Sequence, residues 1–206
     1  MNPKISAIVR DLEELFTLLN ERFYDNQLNT PVVTVSPDCV GGALGWCTSW
    51  KAWRNDEQSE EGYYEICLTA ENLKRPYADI CETMLHEMVH LYQRYEGIKG
   101  TSRHGTYHNK LYKADAEERG LIVDKSPKYG WSDTSLNAEA KQFIDGLNRA
   151  NYTIFRVSFE GLEEKKARKG SSSRKYVCPG CGCIIRATKE VWVICGDCND
   201  EFELEE

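Results

Sequence analysis

The segment Glu82-Thr-Met-Leu-His86-Glu87-Met-Val-His90 holds the residue types and spacing best suited to chemistry. Its apolar positions, Ile80, Met84, Leu85, Met88, Val89 and Tyr92, recur every three or four residues and predict a helix over 78–95. Residues four apart on a helix lie one turn above each other, so His86 and His90 project from one face. Two neutral imidazoles so placed can take adjacent corners of a tetrahedral Zn2+. Glu87, beside the first imidazole, can reach a water at that metal without ligating it, which makes it the candidate general base. A helix whose histidines merely cap or pack is the plainer alternative, and the apolar flank favours a buried site.

A second group lies near the C-terminus. Cys178-Pro-Gly-Cys181 and Cys195-Gly-Asp-Cys198 form two Cys-x-x-Cys turns with 13 residues between them. Each turn points two thiolates at one ion, and four thiolates make a closed, structural zinc site. The intervening 184–194 stretch suits a β-hairpin, so this unit reads as a zinc ribbon too small to fold without its metal. Cys183 is a fifth, spare cysteine. A redox dithiol would need a thioredoxin-like βαβ context, and none surrounds either pair.

A catalytic zinc needs a third protein ligand and one open position. One zinc-peptidase subclass places Gly three and His six residues after the second histidine; Gln93 and Glu96 stand there, which excludes it. The remaining histidines, His104 and His108, share the loop that follows the helix. Asp115, Glu117 and Glu118 read more simply as the solvated face of the next helix. The third ligand is therefore His104 or His108. Tyr92, Tyr107 and Tyr112 are candidate oxyanion donors, each more simply a packing aromatic, and Asp79 or Asp115 could orient a ligand imidazole from behind.

The elements that must position these groups follow from periodicity. Ile5, Ile8, Leu12, Leu15, Phe16, Leu19 and Phe23 predict an amphipathic helix over 5–23. Short strands are expected at 32–35, 44–48 and 63–68, with an exposed loop over 55–62. A helix over 110–119 should stop at Gly120. Another should start at Thr134 or Ser135 and run to Asn148, followed by a strand over 152–159. The run 165–175, KKARKGSSSRK, then carries six basic residues and reads as a linker. The expected organisation is a domain over 1–160, a basic linker over 161–176 and a zinc ribbon over 177–206.

Several of these segments resemble the SprT-like zinc metallopeptidases, a family that includes the Spartan proteases. The resemblance covers almost the whole chain and rests on Phe23-Tyr-Asp-Asn-Gln-Leu-Asn-Thr-Pro, Gly42-Ala-Leu-Gly-Trp-Cys47, Tyr64-Glu-Ile-Cys-Leu and Thr83-Met-Leu-His-Glu-Met-Val-His90. It implies an α+β zincin-like domain with a small antiparallel sheet and an active-site helix, joined to the ribbon. In this family the third ligand is a histidine at the start of the next helix, often in a His-Gly-x-x-aromatic pattern. His104-Gly105 keeps the dipeptide but puts His108 at the aromatic position. His108-Asn109-Lys-Leu-Tyr112 keeps the aromatic and lets Gly120 close the helix, and Tyr107-His-Asn-Lys looks like the bacterial and phage form. His108 is therefore preferred, with His104 as the alternative. The implied activity is hydrolysis of protein substrates by one catalytic zinc, beside one structural zinc. A non-proteolytic zinc module that binds nucleic acid or nucleoprotein is the competing reading.

Composition limits the partners. The 206 residues include 26 Lys+Arg against 33 Asp+Glu, a formal net charge of −7. Net charge therefore argues against general coating of a phosphate backbone, and any nucleic-acid contact must be local. Lys165, Lys166, Arg168, Lys169, Arg174 and Lys175 are the candidate phosphate contacts, and Trp46, Trp50 and Trp53 near Lys51 and Arg54 could stack on unpaired bases. The resemblance points to single-stranded or protein-crosslinked DNA as a partner. Charges interrupt the apolar positions of the first helix, so no secretory signal or membrane span is expected. Nine cysteines without a signal fit a reducing, cytoplasmic setting.

Overall fold

A computed structural model describes residues 4–39, 41–56, 61–157 and 173–205. The chain divides into two compact units, Met1–Ser158 and Phe159–Glu206. The architecture is mixed α+β, with four α-helices and small sheets among the described residues.

In the first unit, α1 (Ile5–Tyr24) buries Ile8, Leu12, Leu15, Phe16 and Leu19 along one stripe. Asp25 closes it in the left-handed conformation. Helix α2 (Tyr77–Tyr95) follows Pro76, which fits a helix start because its missing N–H has no partner to lose there. Ile80, Met84, Leu85, Met88, Val89 and Leu91 of α2 are wholly buried in the same core as the α1 stripe. Each such side chain contributes roughly 1.5–3 kcal/mol by leaving water. That burial fixes the rotation of α2 about its axis and so the direction in which its polar face looks.

Strands β1 (Val32–Ser36), β2 (Gly45–Cys47) and β3 (Glu65–Thr69) form a sheet in the order β1-β3-β2. The resemblance implies a small antiparallel sheet, and this one is mixed: β1 runs parallel to β3, and only β2 is antiparallel to it. The segment between β1 and β3 is long enough to return the chain to the same end, which parallel pairing requires. Strand β2 is left at the edge and crosses α2. A Cβ on Gly45 would stand 2.8 Å from the Cys67 carbonyl oxygen and 3.1 Å from Thr83, so only glycine allows this approach.

Beyond α2, β4 (Thr101–Ser102) and β5 (Tyr107–His108) form a tight hairpin, and α3 (Lys110–Glu118) follows at once. Strands β6 (Leu121–Ser126) and β7 (Gly130–Leu136) complete a four-stranded sheet in the order β4-β5-β7-β6. The sequence places a helix start at Thr134 or Ser135; both are strand residues, and α4 (Ala138–Gly146) begins after Asn137, whose side chain accepts from the Ala140 N–H at 2.8 Å. The strand expected over 152–159 is also corrected: 152–157 is irregular, and 158–159 lie outside the described residues. Side chains at 151 and 152 tie back to helices instead. Tyr152 Oη donates to Asp11, and Asn151 Oδ1 accepts from the Tyr77 N–H at 2.7 Å.

In the second unit, β8 (Arg174–Val177), β9 (Ile184–Ala187) and β10 (Glu203–Glu205) form an antiparallel sheet in the order β10-β8-β9. Arg174 and Lys175, expected in the linker, are therefore strand residues, and Lys175 pairs with Glu205. Serine-rich, basic composition signals a tether but is blind to strand pairing. Lys165, Lys166, Arg168 and Lys169 lie outside the described residues. No helix among the described residues is long and apolar enough to cross a membrane.

Candidate metal centres

Two groups among the described residues could hold a metal ion: His86, His90 and His108, and Cys178, Cys181, Cys195 and Cys198. Within each group the ligand atoms all lie within 4.8 Å of one another.

The histidine group is built by two elements. α2 supplies His86 and His90 one turn apart, with ring centroids 5.1 Å from each other. β5 supplies His108, held by a backbone N–H that donates to Tyr129 O at 2.8 Å. His108 is paired in register with Gly130, where a Cβ would come within 2.2 Å of the His108 carbonyl oxygen and φ is +76°. Asn109 then caps α3, accepting from the Leu111 N–H at 2.7 Å and the Tyr112 N–H at 3.3 Å. The asparagine after His108 is thus the residue that turns the chain from strand to helix. His104 is exposed on the β4–β5 turn in the left-handed conformation and does not join the group.

The three imidazoles suit one tetrahedral ion. His90 Nε2 and His108 Nε2 face each other at 3.0 Å, near the ~3.3 Å that two Zn–N bonds of 2.0–2.1 Å subtend at a tetrahedral angle. Burial pushes the His86 imidazole down to about 3 and holds His90 well below its ordinary value; His108 is also lowered by burial. All three are therefore neutral near pH 7, the state in which an imidazole binds metal. Tyr112 forms the floor, fully buried, with ring centroids 5.0, 4.8 and 4.4 Å from His86, His90 and His108. Its Oη lies 3.4 Å from the His86 carbonyl oxygen and donates there. As whole residues His86 and His90 are half-buried, and His108 is buried.

Glu87 is 6% exposed and lies under edge strand β2. Burial pushes its carboxyl up to about 8, opposed by the Cys47 backbone N–H, which donates to it. A bound dication would draw it back toward the ionised form. Burial and the nearby Glu87 also hold the Cys47 thiol well above its ordinary range, which disfavours its thiolate.

The sequence points to Asp79 or Asp115 behind the imidazoles, and the structure puts other groups there. Asp115 is engaged by Gln93 and Arg119. Behind His86 stands Thr134, whose Oγ1 lies 3.3 Å from Nδ1 and donates to Glu82. Glu82 carries a sequence signal, standing four residues before His86 on the same helical face. Thr134 carries none, because local pattern gives a helix where the chain forms a strand. Tyr92 stacks on the Arg119 guanidinium at 3.8 Å and Tyr107 on that of Arg103 at 5.0 Å, so both are engaged as packing aromatics.

The cysteine group repeats one turn twice. Cys178 N–H donates to Cys183 O at 2.9 Å and Gly182 N–H to Cys178 O at 2.8 Å; Cys195 N–H donates to Asp200 O at 2.8 Å and Asn199 N–H to Cys195 O at 2.9 Å. Gly182 and Asn199 take the same left-handed conformation. Cys181 and Cys195 Sγ lie 3.7 Å apart, close to the ~3.8 Å that two 2.3 Å Zn–S bonds subtend tetrahedrally. Backbone N–H groups of Cys198 and Asp197 bring the Cys195 thiol down to about 7, towards the thiolate that binds metal. Cys183 occupies the position of Asp200 in the other turn, contributes its carbonyl, and stays outside the cluster.

No known protein-family model matches the chain, and no curated protein matches it.

Proposed function

We propose that this protein is a zinc-dependent endopeptidase of the SprT-like, zincin-like type, acting on protein substrates associated with or crosslinked to DNA. The observation that carries the reading is the pairing of a three-imidazole cluster with a buried carboxylate, Glu87, on the helix that supplies two of the imidazoles. His86, His90 and His108 would hold the ion. When bound there, zinc lowers the pKa of a coordinated water from about 15.7 towards 7 and polarises the scissile carbonyl. Glu87 takes the proton of the attacking water on its carboxylate and delivers it to the leaving amine nitrogen, so its two protonation states are both used. Desolvation under β2 favours the protonated form, which helps Glu87 take up the proton in the first transfer. A purely structural metal would have no use for Glu87.

The DNA half of the reading draws support from cation–aromatic pairs on the segments that flank His108 in sequence and on the 128–131 stretch that its backbone N–H meets at Tyr129. Arg103 lies over Tyr107 at 5.0 Å, Lys128 over Tyr129 at 4.8 Å, and Lys113 over Trp131 at 4.1 Å. Such groups offer phosphate contacts despite the overall negative charge. Those pairs also favour the second reading, a non-proteolytic zinc module that binds nucleic acid.

Incubating the protein with a DNA-binding substrate protein, with and without single-stranded DNA, tests both. Cleavage that depends on DNA and disappears in Glu87→Gln is expected. DNA binding without cleavage favours the module. Cleavage indifferent to DNA removes the nucleic-acid half and leaves the peptidase.

A further inference from the structure

Glu82 stands one helical turn before His86, and its carboxylate turns towards strand β7. Thr134 Oγ1 donates to Glu82 Oε1 and lies 3.3 Å from His86 Nδ1. A threonine hydroxyl has one proton to give. With that proton committed to the carboxylate, Oγ1 can only accept from His86, so the ring hydrogen sits on Nδ1 and the Nε2 lone pair is left for a metal. Glu82 is steadied by Arg75, whose charge bears on it and whose Nη2 donates to Thr83 Oγ1 at 3.0 Å. His108 is held differently, through its backbone N–H.

We propose that Glu82 and Thr134 are positioning residues that set the tautomer and ring plane of His86 for metal binding, the carboxylate acting through an interposed hydroxyl. The inference rests on the reading of His86, His90 and His108 as a metal centre. A carboxylate behind a ligand imidazole raises its basicity and restricts its rotation, and loss of such a partner typically weakens metal binding 10–100-fold. The plainer alternative is that Thr134 and Glu82 only join β7 to α2. The two differ in what a hydroxyl alone can restore.

The test measures zinc affinity of the full-length protein by chelator competition, with the His86→Ala variant identifying the release step that belongs to the histidine site. Thr134→Val should weaken that step about 10–100-fold, and Thr134→Ser should stay within about threefold of wild type. The metal-free helical circular dichroism of both variants should match wild type, which separates lost positioning from lost folding. Glu82→Ala should weaken the same step and leave the cysteine step unmoved. Wild-type affinity in Thr134→Val, or equal losses in the serine and valine variants, would overturn the proposal while sparing the metal centre. A wild-type protein that shows no His86-dependent step would overturn both.

Discussion

His104 and His108 are four residues apart and differ in everything that makes a ligand. His108 is buried, neutral and 3.0 Å from His90 Nε2, whereas His104 is exposed on a turn. His108→Ala should abolish one equivalent of bound zinc and His104→Ala should retain both, as metal analysis of the purified variants would report. Zinc loss confined to the His104 variant would contradict the assignment. Glu87 gives a pH-dependent expectation of definite sign. Its folded value is about 8 against an ordinary 4.5, so between those values the folded metal-free chain keeps a proton that the unfolded chain has released. Stability therefore falls as pH rises through that window. Metal-free Glu87→Gln should match wild type at the acid end and exceed it by a few kcal/mol above about pH 8, because each tenfold change in a proton equilibrium is worth ~1.4 kcal/mol. Urea unfolding followed by helical circular dichroism would measure it, because every described α-helix lies in the first unit. At this scale His86, Glu87 and His90 were legible because one helix displays them at fixed spacing. Thr134 was not, because its contact with His86 spans 48 residues of chain and depends on a strand pairing that periodicity does not encode.

Helix α2 and the elements crossing it decide where those residues point. The amphipathic helices were readable, since a stripe of Leu, Ile and Phe at three- and four-residue spacing has only one way to be buried. The β6–β7 hairpin was missed. Its strand β7, Gly-Trp-Ser-Asp-Thr-Ser-Leu, has four polar residues in a row, which breaks the alternation of a strand, and carries Thr134 and Ser135, both good helix caps, just ahead of a true helix. Asn137 won that role because the strand continues through Leu136. Asn109 does the same work at α3 and also donates to the Lys99 carbonyl at 2.7 Å. Asn109→Ala should cost about 0.5–2 kcal/mol, the usual range for a lost N-cap, and should weaken zinc at the adjacent His108. Asn109→Asp should keep the cap and most of the affinity. Thermal unfolding combined with zinc titration would check both; an unchanged zinc affinity in Asn109→Ala would show that the cap does not position the ligand.

Across the chain as a whole, the two units differ in the apolar core they bring. The first has a large one of its own, whereas the buried cluster of the second is Tyr176, Phe202, Cys178 and Cys195, the last two from the candidate metal-binding group. Four thiolates drawn together without an ion have little to hold them. Cys178→Ser should therefore remove the ribbon's tertiary structure while the helical signal and the histidine-bound zinc persist, as circular dichroism and metal analysis would show. The cysteine spacing made this unit readable; the start of β8 at Arg174 was hidden by a basic, serine-containing run that resembles a tether. In the first unit, the three imidazoles and Glu87 are proposed to form a hydrolytic zinc centre. The most direct measurement compares cleavage of an unfolded protein substrate by zinc-loaded wild type and Glu87→Gln, with zinc content determined on the same samples. Equal zinc in both and a loss of cleavage of about 10²–10⁴-fold in the variant are expected. Equal cleavage by the two, or no cleavage by fully zinc-loaded wild type, would contradict the proposal.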